Sequence, residues 1–223
     1  MTRTRLRLLR LAERASWAFG LAGLLWWGTS QAAAAVATRQ DLARFAALQA
    51  ASRAAYPEPS LWSSDRRGVW RTPPLGLAPV PLAVLRIAKI RLEVPILPGT
   101  DDRTLDRAVG HIEGTALPGT DGNVGLAGHR DSFFRGLKDI NPGDLIEIDT
   151  HAERSSYRVE RIWVVDPTEV SVLTPTSGPA LTLVTCYPFD FVGPAPRRFI
   201  VRALPANRVA SQLIAESAQK WRE

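Results

Sequence analysis

The chain has 223 residues, 45% of them hydrophobic, which is enough for one domain of ordinary size with appendages and enough apolar side chains to fill its core. A formal charge of +6 invites a nucleic-acid partner until the charge is located: residues 1–79 carry 11 Lys/Arg against 4 Asp/Glu, whereas residues 80–204 carry 14 against 16. The body of the chain is slightly acidic and lacks a basic run that could follow a phosphate backbone, so nucleic-acid binding is excluded as its role.

The first segment, 1–37, reads as a membrane anchor. Arg3, Arg5, Arg7, Arg10 and Arg14 precede an uncharged stretch over 15–37 that includes Trp17, Phe19, Leu21, Leu24, Leu25, Trp26 and Trp27. Its length exceeds the roughly 20 residues a bilayer requires, and the arginines ahead of it favour a cytoplasmic N-terminus. A cleaved signal peptide is the competing reading, because "SQAAAAVA" offers small residues suited to cleavage. Either reading exports the remainder, as a cell-membrane protein with an extracytoplasmic domain or as a released one.

Residues 38–79 form a spacer and linker. Over 38–55, Leu42, Phe45, Ala46 and Gln49 recur at helical spacing and predict a continuation of the helix. From Pro57 to Pro81 come six prolines, an irregular or extended linker. Residues 80–204 change character: "LAVLRIAKIRLEVPIL", "NVGLAGH", "DLIEIDT", "YRVERIWVV", "ALTLVTCY" and "RFIVRAL" are short runs rich in Val, Ile, Leu and aromatics, separated by Gly, Pro, Asn and Asp. "DLIEIDT" and "YRVERIWVV" alternate apolar and polar with period 2, as half-buried antiparallel strands do. Only "RTLDRAV" and "FFRGLKDI" look helical. The sum predicts an all-β domain, a closed or nearly closed barrel of about eight strands with one or two short helices. Residues 205–223 form a polar tail with an amphipathic helix candidate.

One cysteine, Cys186, ends the "TLVTC" run. In an exported chain a lone cysteine is either a buried core filler or a reactive thiol. Two further polar stretches stand out with it, "GLAGHR" around His129 and "PRRFIVRA" containing Arg197 and Arg198. The order AGHR, then TLVTC, then an arginine-led strand closely resembles the sortases, cysteine transpeptidases of bacterial surfaces. The resemblance covers residues 80–204, and the "TCYPFDFVGPAPRRFIVRA" stretch is most similar to class D, including Gram-negative relatives. It implies a sortase-type β-barrel, with Cys186 as nucleophile and His129 as general acid/base. Strand alternation leaves open whether Arg197 or Arg198 faces the site; the family pattern, an Arg followed by three strand residues before a polar one, favours Arg198 as the group that holds the substrate carbonyl or oxyanion. Thr185 is implied as a supporting substrate contact through its carbonyl or hydroxyl.

The chemistry agrees with that assignment, since acyl transfer through cysteine needs a thiolate, a proton donor for the leaving amine and a holder for the oxyanion. The implied partners are surface proteins bearing a Leu-Pro-x-Thr-like sorting signal and an amine from the cell wall or a pilin, with no cofactor. The rival functions are an exported cysteine hydrolase and a non-catalytic barrel in which Cys186 packs the core. His111 reads as a structural residue of a Gly-flanked turn and His151 as an exposed loop residue. Asp101, Asp102 and Asp106 read as caps at a helix start rather than a calcium site, and "LPGT" at 97–100 and 117–120 as turn chemistry rather than a sorting signal.

Overall fold

The structure, a computed structural model, describes residues 3–55, 80–191 and 193–207. Most of the Pro-rich linker and of the tail therefore lies outside the described residues. Eight strands are present: β1 (Ala83–Ile87), β2 (Leu92–Pro98), β3 (Val109–His111), β4 (Asn123–Ala127), β5 (Leu145–Thr150), β6 (Arg154–Val165), β7 (Ala180–Tyr187) and β8 (Arg197–Pro205). They close into a barrel in the order β1-β2-β3-β4-β7-β8-β6-β5, which bears out the all-β expectation. Pairing is antiparallel except between β2 and β3 and between β4 and β7.

Period-2 patterning sets which side chains face inward. Leu85, Ile87, Val94, Ile96, Val124, Leu126, Ile146, Ile148, Leu181, Leu183 and Val201 fill the interior together with Phe134. Burying each stabilises the fold by about 1.5–3 kcal/mol before the entropy of ordering is subtracted. Alternate residues of β4, β7 and β8 face the other way. Ile200 and Thr182, which lie on that outer face, are also fully buried, and the connection between β6 and β7 reaches the Thr182 end of it.

Both helical expectations within the domain shrink to single turns. "RTLDRAV" yields α2 (Asp102–Leu105), where Asp101 caps the start by accepting from the Thr104 amide at 3.2 Å and the Thr104 hydroxyl at 2.8 Å. "FFRGLKDI" yields a 3-10 turn over Arg135–Asp139. Gly136 within it packs so tightly that a Cβ would lie 2.9 Å from Ile90 Cβ, and glycine weakens any longer helix.

Helix α1 runs unbroken over Arg3–Ala55. Its second half is docked rather than a free spacer, because Thr38, Asp41, Phe45 and Gln49 recur at helical spacing on one face and all reach the barrel. The Thr38 hydroxyl donates to the Arg107 carbonyl at 2.7 Å, Phe45 is buried with its ring 4.5 Å from that of His151, and the Gln49 amide donates to Asp149 Oδ1 at 3.1 Å and the Thr150 carbonyl at 2.9 Å. His151 is consequently half-buried, with Nε2 3.1 Å from the Pro81 carbonyl, and not the exposed loop residue its surroundings in sequence suggest. No helix among the described residues is long and apolar enough to cross a membrane. In the stretch 15–37 the aromatic and leucine side chains are diluted by Ser16, Gly20, Gly23, Gly28, Thr29, Ser30, Gln31 and many alanines.

Asp149 ties these parts together. Burial alone would raise its carboxyl, but hydrogen bonds from Arg86 (2.6 Å), Arg154 (3.1 Å) and Gln49 outweigh that and hold it below the ordinary carboxylate range. A depressed carboxyl contributes stability above its ordinary value of about 4, and that stability is lost as pH falls through the lower folded-state value. Asp149→Asn should therefore cost about 1.5–3 kcal/mol at pH 7, the range for hydrogen bonds to a charged group. Thermal unfolding of both proteins from pH 7 to pH 2 checks this: the gap should close in acid, and a gap independent of pH would show that the charge is not its source.

Candidate active site

The parallel register Asn123↔Ala180 to Ala127↔Val184 determines what meets beyond the end of β4. The Gly128 amide continues the ladder by donating to the Val184 carbonyl at 3.3 Å. One residue further along each chain from Gly128 and Thr185 stand His129 and Cys186. On the other side of β7, the antiparallel register sets Cys186 directly opposite Arg198. Residues opposite one another on paired strands project from the same face, so Cys186 and Arg198 share a face with Thr182, Val184, Ile200 and Arg202. That face is the outside of the barrel wall, opposite Leu181, Leu183, Val201 and Ala203 of the core.

The register also separates the two arginines that alternation alone could not. Arg198 is half-buried on the Cys186 side, while Arg197, paired with Tyr187, is exposed. The Arg198 guanidinium donates to the Ala195 carbonyl at 3.3 Å and the Arg197 carbonyl at 3.1 Å, beside the thiol. Cys186 is itself half-buried. It is therefore not one of the core side chains, and the core-filler reading of the lone cysteine falls away.

Gly128 is needed for closeness rather than for a turn. It does not adopt a left-handed backbone, but a Cβ there would lie 2.8 Å from the ring of Phe134, which is fully buried beneath it. The His129 carbonyl then accepts from the Phe134 amide at 3.1 Å, so the histidine leaves β4 in a fixed direction. Thr185 is buried, and its hydroxyl donates to the Gly128 carbonyl at 2.7 Å. The hydroxyl expected to contact substrate is thus engaged inside the wall. Thr185 pins the strand carrying His129 against the strand carrying Cys186, and only its backbone is left for any substrate contact.

Below the row Val165–Arg198–Cys186, the registers place Trp163, Ile200, Val184 and Ala127 in the next row, and Arg161, Arg202 and Thr182 in the one after. The β6–β7 connection closes over this last row. Asn123 donates to the Val172 and Thr174 carbonyls, both at 3.2 Å, and accepts from Thr182 at 2.6 Å; Arg202 donates to Val172 at 2.7 Å. Leu173 packs where Gly125 has no side chain. The connection thus roofs the Thr182–Arg202 end of this face, while Trp163, Val184 and Cys186 stay half-buried toward the other. Arg161 lies over the Trp163 ring at 4.9 Å on the β6 flank, where residues including Glu169 and Ser171 line a cavity of about 470 Å³.

Other polar candidates resolve into structure. His111 is buried in β3 rather than in a turn, with Nε2 2.9 Å from the Ala116 carbonyl and 3.2 Å from the Thr115 hydroxyl. Asp101 caps α2 as described. Among the described residues no three His, Cys, Asp or Glu side chains converge to hold a metal ion. Two neighbours of the site were not legible as such. Arg130 spans the β7–β8 connection, donating to the Pro188 carbonyl at 3.2 Å and the Gly193 carbonyl at 2.8 Å. Asp106 reaches His129, with Oδ1 3.8 Å from Nε2. Arg130 lies inside the Gly-His-Arg run and Asp106 among the acidic residues near α2, but nothing in their spacing tells of partners so far along the chain.

Comparison with known proteins agrees with this arrangement. A sortase domain is matched over residues 85–206, more than half of the chain. The chain belongs to the sortase family. This sortase is 36% identical over 119 residues to sortase D of Bacillus subtilis and 39% identical over 125 residues to sortase SrtE1 of Streptomyces coelicolor. Those alignments cover 53% and 48% of the chain, and 60% and 36% of the two relatives' lengths. Among solved structures, a Clostridium perfringens sortase D5 transpeptidase matches with TM-score 0.52 and 31% identity over 56% of this chain and 79% of that one. Sortase C-1 of Actinomyces oris matches with TM-score 0.51 and 33% identity over 57% and 74%. Class D relatives thus occur in both comparisons, in keeping with the resemblance of the segment after Cys186.

The Thr185 to Gly128 bond makes a direct prediction for this sortase. Thr185→Val keeps the shape but leaves a buried carbonyl without its donor, and should cost about 1–3 kcal/mol of stability. Thr185→Ser, which restores a hydroxyl, should recover most of the loss. Thermal denaturation of the two variants checks it, and a Val variant as stable as wild type would remove the bond from the account of the site.

Proposed function

We propose that this chain is a membrane-anchored cysteine transpeptidase that cleaves a Leu-Pro-x-Thr-like sorting signal and transfers the acyl part to an amine. The observation that supports the reading is the register, which sets Cys186 opposite Arg198 and lets His129 follow Gly128 where β4 leaves the end of β7. The thiolate of Cys186 attacks the Thr carbonyl of the signal. Arg198, one nitrogen of which now donates to the Ala195 and Arg197 carbonyls, stabilises the oxyanion that forms. The His129 imidazolium gives its proton to the departing amine, and a thioester remains on Cys186. An incoming amine, from cell wall, pilin or another surface protein, attacks the thioester and passes a proton to His129 as the Cys186 thiolate leaves, which restores the starting thiolate and imidazolium. Half-buried Val184, on the same face as the thiol, offers an apolar contact for the Leu-Pro part of the signal.

Anchoring is supported by the outer half of α1, where Trp17, Phe19, Leu24, Leu25, Trp26 and Trp27 are exposed behind a run of arginines. Among the described residues these six and Leu21 are large apolar side chains left exposed, and lipid would cover them. Both substrates of such an enzyme are held at the same surface, so anchoring raises their effective concentration. Carbonate extraction of membranes should leave the full chain in the pellet, and a variant with Leu24 and Leu25 changed to Asp should appear in the supernatant. Recovery of the unaltered chain in the soluble fraction would overturn the anchor.

The chemistry is tested by incubating the full chain with Leu-Pro-x-Thr-x peptides and Gly or diaminopimelate-type amines, with mass spectrometry of products and of the acyl-enzyme. Cys186→Ala should form no acyl-enzyme. Arg198→Ala should acylate on the order of 10² to 10³ times more slowly, the usual loss for one oxyanion donor, whereas the exposed Arg197→Ala should change the rate less than about threefold. Should Arg197→Ala be the impaired variant, the assignment of the oxyanion residue fails; should hydrolysis products persist unchanged in the presence of amine, the transfer half fails.

A further inference from the structure

We infer that Asp106 is a positioning residue for His129, and that the docked part of α1 keeps it available by holding Arg107 away. The inference rests on the reading of His129 as the acid/base of the thioester chemistry. Asp106 Oδ1 lies 3.8 Å from His129 Nε2, ion-pair distance without a formed hydrogen bond. The aspartate is set rigidly for an exposed residue. It follows α2 directly, its amide donates to the Asp102 carbonyl at 2.9 Å, and the capped turn is continued by the Ala108 amide on the Thr104 carbonyl at 2.9 Å. Strand β3 then begins at Val109, where a Cβ on Gly110 would lie 2.3 Å from the Gly99 carbonyl, so the segment has no room to slide.

The next residue points the other way. Arg107 has its Nε 3.6 Å from Asp41 Oδ2 of α1, and its carbonyl accepts from Thr38 of the same helix. Asp41 is buried, and that Oδ2 has no hydrogen-bond partner. Burial raises the Asp41 carboxyl, and the positive charges of Arg107 and Arg44 draw it back. A buried carboxylate whose nearest cation is Arg107 keeps that guanidinium on the α1 side. Without it, Arg107 is released to compete with His129 for its neighbour Asp106. The helix thereby acts on the histidine through two adjacent residues and without touching the site.

Among the described residues Asp106, at the end of α2, is the charged group within ion-pair range of His129. By register Cys186 of β7 and Arg198 of β8 stand in the neighbouring rows; Asp131 is exposed in the turn that follows, and Arg130 is committed to the β7–β8 connection. An exposed carboxylate at this distance acts modestly, so the expected effects are severalfold rather than orders of magnitude.

The test uses the full chain in detergent, with ring-labelled histidine followed by NMR across pH, in a Cys186→Ala background so that the thiolate does not couple to the ring. Adding Asp106→Asn should move the His129 titration midpoint down by roughly 0.2 to 0.7 pH units, the range expected for loss of an exposed ion pair. Asp106→Glu should restore most of it. Asp41→Ala should move the midpoint in the same direction, and adding Arg107→Ala to it should reverse the move. With Cys186 intact, Asp106→Asn should lower the acylation kcat severalfold with KM for the peptide unchanged. A midpoint that stays put in Asp106→Asn overturns the positioning role. A shift in Asp106→Asn with none in Asp41→Ala overturns the part played by α1. His129→Ala separates the underlying reading: if that variant still acylates, the acid/base role fails even where the pairing is real.

Discussion

Parallel pairing between β4 and β7 is the constraint from which the site follows. The two strands lie more than fifty positions apart in sequence, and no local interaction brings them together. Their register is held at the decisive point by Thr185, whose buried hydroxyl reaches the Gly128 carbonyl. A slip of one residue would turn every side chain of the strand to the opposite face, sending Cys186 into the core and Leu183 into the groove. The dense inward packing of Leu181, Leu183, Val124 and Leu126 opposes such a slip, so the same hydrophobic pattern that closes the barrel also fixes where the thiol points.

The groove is shaped by what the outer face of these strands lacks. Gly125 gives Leu173 its seat and Gly128 lets Phe134 approach from below, one missing side chain on each side of the wall. Asn123 and Arg202 then donate to carbonyls of the connection that covers them, and Thr182 donates to the Asn123 side-chain oxygen, so these buried polar groups are paired. That connection is thus attached by hydrogen bonds to a sheet it does not join. Burial pushes Arg202 below its ordinary value, with Glu160 opposing, a sign of how far this corner is withdrawn from water.

Much of this was legible from the amino acids. The strands announce themselves by period 2 and by their turn residues, and the three polar runs around His129, Cys186 and Arg198 mark what converges. What was not legible depends on distant partners. Nothing near Gly128 in sequence reveals that Phe134 would sit against it. His151 read as exposed because its cover, Phe45, comes from a helix a hundred positions earlier. Alternation gave two faces for β8 without saying which was outward, and only the pairing of Cys186 with Arg198 decides it. Arg130 and Asp106 belong to the same class: a charge's neighbours in space are set by topology, and no pattern of spacing encodes them.

The docking of α1 fixes a height. The uncharged stretch ends at residue 37, Thr38 already donates to the Arg107 carbonyl and Phe45 is seated on the barrel, so docking starts at once and is well established within about 12 Å of helix. Under the anchoring proposed above, the domain stands off the bilayer by little more than the thickness of the headgroups, on a stalk too short and too regular to sway. A substrate chain leaving the membrane would meet the groove within its first few extended residues, so reach would be set by the geometry of the stalk and not by the length of a loose tether.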